Sequence, residues 1–256
     1  MEKFIATFDL HFGSENKGGH RVLLHDPKAW GAVMKFAQDF KPHKWIHGGD
    51  MLDCGVVSHH NHGKPGRTEG MRLMADANEG HAFFIKPVED LIKGNDNLIY
   101  IVGNHEDWLT DLVDDMPSLD GIVNVETILK LKRWKVIPQG GQYDYGKLRF
   151  VHGDTIKGGE NVAKAAVINH ERNIRFGHHH TMQSFNKTSP SDEKLGKTGI
   201  AVPCLCHKNP RYNEGRPNRW MQGFLHGYMN SNGTFNDYVV TILDGQFVVN
   251  GITYKG

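Results

Sequence analysis

The stretch Lys44-Trp45-Ile46-His47-Gly48-Gly49-Asp50-Met51-Leu52-Asp53 decides how this chain reads. A short run of β-formers delivers two glycines, then a carboxylate, then a second carboxylate three residues on. Four other segments end in a similar way. Residues 3–8 read as a strand that delivers Asp9 and His11. Residues 97–102 lead into Gly103-Asn104-His105-Glu106. Leu148–Val151 leads into His152-Gly153-Asp154, and Asn173–Phe176 leads into Gly177-His178-His179-His180.

Each of these residue types has a chemical use at a strand end. Asp9 and His11 are two apart, so on a continuing strand they share a face and can reach one cation. The Asp50 carboxylate has two oxygens and can bridge two ions, with Gly48-Gly49 letting a metal approach the backbone closely. Taken alone, Asp50 also fits a helix N-cap. Asp53 fits either an N-cap or a group that orients a ligand. Asn104 offers a neutral oxygen ligand, or a cap for a helix beginning near Asp107. His105, beside it, points elsewhere and suits a general acid for a leaving oxygen. His152 and His178 are strand-end imidazoles. On a continuing strand His180 shares the face of His178, while His179 faces away. The mixed imidazole, carboxylate and amide set suits manganese, iron or zinc rather than the all-oxygen shells of calcium or magnesium. Two such ions a few ångströms apart can act on a phosphate ester.

A chain of 256 residues can bury one large core or two small ones. Its 38% hydrophobic and 23% charged content is ordinary for a water-soluble protein. No apolar run approaches the ~20 residues of a membrane helix. The first residues lack the pattern of a secretory signal. Three Cys argue against a disulfide framework and fit a reducing, cytoplasmic setting. A net charge of +1 gives no global case for nucleic-acid binding, although a local basic groove stays open. Histidine is the outlier at seventeen, and His20, His43, His81 and His170 read as surface residues.

Between the strand ends, Asp26 is an expected N-cap with Pro27 opening a helix. Trp30, Val33, Met34 and Ala37 keep helical spacing to about Phe40. Residues 68–93 read as helical with a break near Pro87. Residues 107–116, 125–131 and 159–170 also read as helices. Residues 238–243 and 246–252 read as a hairpin around Asp244-Gly245. Alternating strands and helices, followed by a β-rich end, predict one α/β domain with a sheet core and helices outside. Two stretches read as long loops near a site: 54–67, with His59-His60-Asn61-His62, and 183–218, rich in Gly, Pro, Lys and Asn.

The five segments resemble the calcineurin-like metallophosphoesterase superfamily. Its signatures D-x-H, G-D-x-x-D, G-N-H-(E/D), a lone H and G-H-x-H occur here in order across residues 9–180. The resemblance implies a four-layer α/β/β/α sandwich, one domain over residues 1–256, with a dinuclear metal site at the strand ends. It implies one metal held by Asp9, His11, Asp50 and His180. The other would be held by Asp50, Asn104, His152 and His178, as divalent or mixed-valence Mn, Fe or Zn. A metal-bound hydroxide would attack phosphorus, His105 would serve the leaving group, and Asp53 would support the site.

Cys54 stands where the serine/threonine protein phosphatases carry a phosphate-gripping Arg, and a Cys cannot make bidentate contacts to phosphate. That counts against a protein phosphatase and, more weakly, against monoester specificity. Arg67, Arg72 or a residue of the C-terminal loop can substitute. The region from Cys204-Leu205-Cys206-His207 to Phe224 resembles small phage and bacterial phosphoesterases described as exonuclease-like. Trp220, Tyr212 and Phe224 either stack a base or, the favoured reading, close the core. Cys204-x-Cys206-His207 has no second pair and is a poor structural-zinc motif. Candidates for substrate contact are Asn104, His105, His59, His62 and Arg67. The expected activity is hydrolysis of a nucleotide-type phosphodiester, either a small nucleotide or a nucleic-acid end, without a membrane partner. The alternatives are a phosphomonoesterase and a non-catalytic metal-binding scaffold.

Overall fold

Side chains along the first strand, and in the residue that follows it, alternate between two dry environments. Phe4, Ala6 and Phe8 enter one apolar cluster and Ile5 enters another. The next two strands of the same sheet split likewise, with Ile46, Ile99 and Ile101 on the first side and Trp45, Leu98 and Tyr100 on the second. A strand buried on both faces reads as a continuous apolar run, which is how these segments look in the sequence.

The computed structural model describes residues 1–191, 196–215 and 217–256. Its elements run β1 (Glu2–Thr7), β2 (Ser14–Lys17), β3 (His20–Leu23), α1 (Pro27–Phe40), β4 (Lys44–His47), α2 (Pro65–Thr68), α3 (Leu73–Gly80), α4 (Lys86–Leu91) and β5 (Leu98–Ile101). Then come α5 (Asn104–Asp115), α6 (Val125–Leu129), β6 (Lys135–Ile137), β7 (Tyr143–Tyr145), β8 (Leu148–Val151), α7 (Val162–His170) and β9 (Asn173–Phe176). The chain closes with β10 (Gln183–Lys187), β11 (Lys197–Ala201), β12 (Gln222–Met229), β13 (Phe235–Ile242), β14 (Gln246–Val249) and β15 (Ile252–Lys255).

Among the described residues, six strands form one sheet in the order β13-β12-β1-β4-β5-β6, and five form a second in the order β10-β11-β9-β8-β7. The pairs β1–β4, β4–β5, β5–β6, β8–β9 and β9–β11 are parallel. Leu148 and Phe150 of the second sheet join the cluster formed by Phe4, Ala6 and Phe8, so the two sheets pack face to face. The outer face of the first sheet is covered by α1, α3, α5 and α6 through Trp30, Phe36, Ala77, Leu109 and Leu129. The outer face of the second is covered by α7, whose Val162, Ala166 and Val167 meet Val151, Ile174 and Phe176. This is the four-layer α/β/β/α sandwich that the resemblance implied.

One ion pair also ties the sheets. Arg175 on β9 is buried and donates from Nη2 to Asp237 Oδ1 on β13 at 2.9 Å, while its Nη1 donates to the carbonyl of Thr198 at 3.0 Å. A buried guanidinium is tolerable only with its donors satisfied in this way.

The helix at Pro27–Phe40 starts as read, with the Asp26 carboxylate accepting from the amides of Lys28 and Ala29 at 2.9 and 3.1 Å. Residues 68–93 break earlier than Pro87, through a π-type turn over His81–Ile85 that separates α3 from α4. Asp244-Gly245 links β13 to β14 by a single bridge. The regular C-terminal hairpin is β14–β15, turned by Asn250-Gly251 with φ of 52° and 78°. The expected loop 183–218 contains β10 and β11 instead, with residues 192–195 and 216 outside the described set. Among the described residues, no helix is long and apolar enough to cross a membrane.

Candidate metal centre

The strands β1, β4 and β5 of one sheet, and β8 and β9 of the other, all end at the same edge of the sandwich. The carboxyl ends of parallel strands are where α/β folds place their sites. Asp9, Asp50, Asn104, His152 and His178 each follow one of these strands within three residues.

The strands do not continue through the ligand-type residues, so the shared-face rule is not what brings them together. Asp9, His11, Asp50, His178 and His180 all have left-handed backbones, with φ of 51°, 49°, 53°, 64° and 56°. Such conformations cost about 1–3 kcal/mol each in a non-glycine residue and cluster at functional sites. Here interlocking bonds hold them. The Asp9 amide donates to the carbonyl of Gly49 at 3.0 Å, that of His11 to Asp50 at 2.9 Å, and that of His178 to Asp9 Oδ2 at 2.8 Å. The glycines are required by protein packing alone. A Cβ on Gly49 would lie 2.5 Å from His152 Nδ1, and one on Gly103 would lie 2.1 Å from Asp50 Oδ1.

The imidazoles are aimed by their outer nitrogens. His152 Nδ1 donates to the carbonyl of Gly48 at 2.9 Å, and His105 Nδ1 to the carbonyl of Asp53 at 2.7 Å. His11 Nδ1 meets Asp53 Oδ1 at 3.2 Å. Asp53 therefore orients two histidines. His180 differs, because its Nδ1 faces the Cys206 sulfur at 3.8 Å. A carboxylate or carbonyl behind a histidine fixes which nitrogen stays free to bind.

The inner nitrogens converge. His11 Nε2 is 3.2 Å from His180 Nε2, which is 3.5 Å from Asp9 Oδ1. Asp50 Oδ2 lies 3.2 Å from His152 Nε2, 3.9 Å from His11 Nε2 and 4.0 Å from His105 Nε2. His152 Nε2 is also 3.0 Å from Asn104 Oδ1. Ligands about 2.1 Å from one ion stand roughly 3.0–3.4 Å apart around it, so this spacing fits coordination. Asp9 Oδ1 is buried without a hydrogen-bond partner, as an oxygen awaiting a cation would be. The donor atoms of Asp9, His11 and Asp50 lie within 4.8 Å of one another, as do those of Asp50, His152 and His178. His11, Asp53 and His105 form a third such group, and His11, His180 and Cys206 a fourth, which the sequence did not announce. His207, the third member of the suspected zinc motif, instead faces Asp26 at 3.5 Å.

The electrostatics match. Burial pushes the His152 imidazole down, but the Asp50 and Asp9 carboxylates outweigh it and carry it to about 10. His180 reaches about 10 in the same way, chiefly through Asp9. Burial works against ionising Asp50, yet His152 and His105 hold its carboxyl well below the usual range. His178 drops to about 4 through burial and the neighbouring His152. Without an ion, protons on His152 and His180 supply the positive charge that the carboxylates need.

A cavity of about 750 Å³ opens above this cluster. Trp108, Tyr212 and Trp220 line it, with Lys64, Arg67 and Arg211. Trp108 lies on His105 with ring centroids 4.2 Å apart, at the i+3 spacing that places both on one face of α5. The histidine loop contributes His60, while His59 packs on His60 and Trp108, and His62 is exposed beyond the lining. Cys54 is buried and does not line the cavity, and Arg72 turns to the carbonyl of Met71 at 2.7 Å. Of the three aromatics expected to close the core, only Phe224 does so. Tyr212 is 51% exposed, and Trp220 packs against His180 at 4.0 Å.

No protein-family model matches the chain, and no curated protein matches it. Among solved structures it is similar to Vps29 from Chaetomium thermophilum, at 12% identity and a TM-score of 0.49, covering 100% of this chain and 99% of that one. It is also similar to a metallophosphoesterase from Sphaerobacter thermophilus, at 13% identity and a TM-score of 0.44, covering 94% of this chain and 88% of that one. In its five ordered signatures, its two stacked sheets and the position of its ligand-type cluster, the chain resembles the calcineurin-like metallophosphoesterases.

Proposed function

We propose that this chain, as one domain over residues 1–256, is a dinuclear metal-dependent phosphodiesterase acting on a nucleotide-type diester. The observation that carries the reading is that Asp50 belongs to two ligand-type groups, one with Asp9 and His11 and one with His152 and His178, its Oδ2 lying 3.9 Å from His11 Nε2 and 3.2 Å from His152 Nε2. Asp9, His11, Asp50 and His180 would hold one ion, and Asp50, Asn104, His152 and His178 the other. The set of three carboxylate or amide side chains and four imidazoles fits manganese, iron or zinc. When bound, two such ions supply an activated water and neutralise phosphate oxygens. His105, fixed through Asp53 and Trp108, presents Nε2 to the cavity as proton donor for the leaving oxygen. A reducing setting in the cytoplasm suits the free thiols Cys54, Cys204 and Cys206.

A phosphomonoesterase is the second reading, because Arg67 and Arg211 reach the cavity although position 54 offers no guanidinium. The test compares turnover of bis-p-nitrophenyl phosphate and p-nitrophenyl phosphate after manganese loading. Preference for the diester supports the first reading and preference for the monoester the second. Two bound ions with no turnover of either compound would favour the metal-binding scaffold.

A further inference from the structure

The cavity is larger than its floor requires. Its volume of about 750 Å³ lies in the upper part of the ~300–1,000 Å³ range of small-molecule sites. A phosphate and its ions occupy only the floor, so the remaining space serves a part of the substrate that does not react.

The chemistry of the walls names that part. Trp220 stands one ring away from the cluster, its centroid 4.0 Å from that of His180, and Tyr212 continues the wall 5.9 Å further on. Tyr212 presents half its surface to solvent, where a core aromatic would present almost none. Trp108 faces the cavity from α5. Flat aromatic faces next to a phosphate site suit a nucleobase. Three cations share the same cavity. Arg67 has no ion-pair partner among the described residues, and the Lys64 ammonium is held by the carbonyl of His60 at 2.7 Å rather than by an acid. Arg211 is set in place by its backbone amide, which donates to the Glu15 carboxylate at 2.9 Å, and by Nη1 donating to the carbonyl of Asn16 at 3.2 Å. Glu214, an acid in the lining, is paired with Lys17 at 3.0 Å. Cations beyond the reaction centre suit a second phosphate, and a mononucleotide would leave them unused.

We infer that the cavity is a strand-end site for single-stranded nucleic acid, in which one base stacks on Trp220 and Tyr212 while Lys64, Arg67 and Arg211 receive the phosphate next to the one that reacts. The inference rests on the phosphodiesterase reading and adds a subsite to it. A net charge of +1 fits a short contact of this kind rather than a long duplex track.

The test is equilibrium binding, separate from turnover. The full chain loaded with manganese is titrated with fluorescein-labelled tetrathymidylate carrying phosphorothioate linkages, with thymidine 5′-monophosphate as competitor. The tetramer should bind at least ~10-fold more tightly than the monophosphate. Tyr212→Ala should weaken it by roughly 5- to 100-fold, the range for one lost stacking partner, and Tyr212→Phe should restore it. Arg67→Ala should weaken it and lower the salt slope by about one counterion. Trp220→Ala serves as a second probe with metal content measured alongside, because that ring also touches His180. Equal affinity for tetramer and monophosphate, or a Tyr212→Ala protein that binds as wild type, would overturn the subsite. Binding of the tetramer by a chain that cleaves no diester would leave the subsite standing and remove the catalytic reading instead.

Discussion

The Glu106 carboxylate accepts the backbone N–H of Asp50 at 3.0 Å, so the residue at the centre of the cluster is hung from the first turn of α5. The same carboxylate accepts from the amides of Gly103 at 2.8 Å and Leu52 at 2.9 Å, and from the Tyr100 hydroxyl at 2.9 Å. Glu106 is 2% exposed, so water cannot replace these bonds. Each donor left buried and unsatisfied costs about 1–3 kcal/mol. Glu106→Ala should therefore destabilise the metal-free protein by roughly 4 kcal/mol or more in urea unfolding. Glu106→Gln, which keeps one acceptor oxygen, should cost less. Wild-type stability in the alanine variant would show that the loop carrying Asp50 does not depend on this carboxylate.

Binding of metal should release protons. His152 and His180 sit at about 10 without an ion, so both are charged near pH 7.5, and a coordinating imidazole must be neutral. Calorimetry with manganese in buffers of different ionisation enthalpy should report about two protons released per chain. The same shifts fix the stability of the metal-free form. Both pKa values are raised above the unfolded value near 6.5, so the two ion pairs stabilise fully below about pH 6.5. Their contribution fades as pH rises through about 10. A metal-free melting temperature that climbs between pH 8 and 10 would contradict this.

How much of the site the sequence exposed depends on range. Asp50, Asn104, His152 and His178 stand just after β-runs, a local pattern, and the structure brings them together. The reason for the convergence was hidden, because nothing in an Asp-x-His pair announces the left-handed φ of 51° and 49° at Asp9 and His11. Gly, the usual sign of that conformation, is absent there. Cys206 and Trp220 reach His180 only through non-local pairings, with β11 beside β9, β12 beside β1 and the Met221 amide donating to the carbonyl of His180 at 2.8 Å. The strands β10 and β11 lie in a Lys-, Thr- and Gly-bearing stretch without alternation, so they read as loop. Trp108, which the sequence reading had not singled out, carried a usable signal in its i+3 spacing from His105.

His226 should make the protein sensitive to acid. It packs among Phe36, Phe40 and Tyr238 with centroids 5.1, 5.1 and 5.4 Å away, and its Nδ1 is buried without a partner. Burial depresses its pKa to about 4. Because the folded value lies below the unfolded one, the neutral ring stabilises above about pH 6.5 and that contribution is lost as pH falls toward 4. His226→Phe should leave stability at pH 8 nearly unchanged and gain roughly 2 kcal/mol over wild type at pH 5. Parallel urea curves at the two pH values check this, and an equal effect at both would assign the change to packing alone.

His105 is the residue whose removal should separate chemistry from metal binding. Its Nδ1 is engaged by the carbonyl of Asp53 at 2.7 Å, so donation to a leaving oxygen must come from Nε2 of the protonated ring. Burial lowers its pKa, and the carboxylates of Asp50 and Asp53 oppose that fall. With a diester whose leaving group is a poor one, kcat should decline as pH rises through the His105 pKa, because the donor is lost. His105→Ala should keep both ions by elemental analysis and slow that substrate by about 10²-fold or more. A p-nitrophenyl leaving group needs little protonation, so the loss there should be smaller, and the alkaline decline seen with the poor leaving group should vanish in the variant. Equal losses on both substrates would mean that His105 steadies the reacting phosphate rather than delivering a proton.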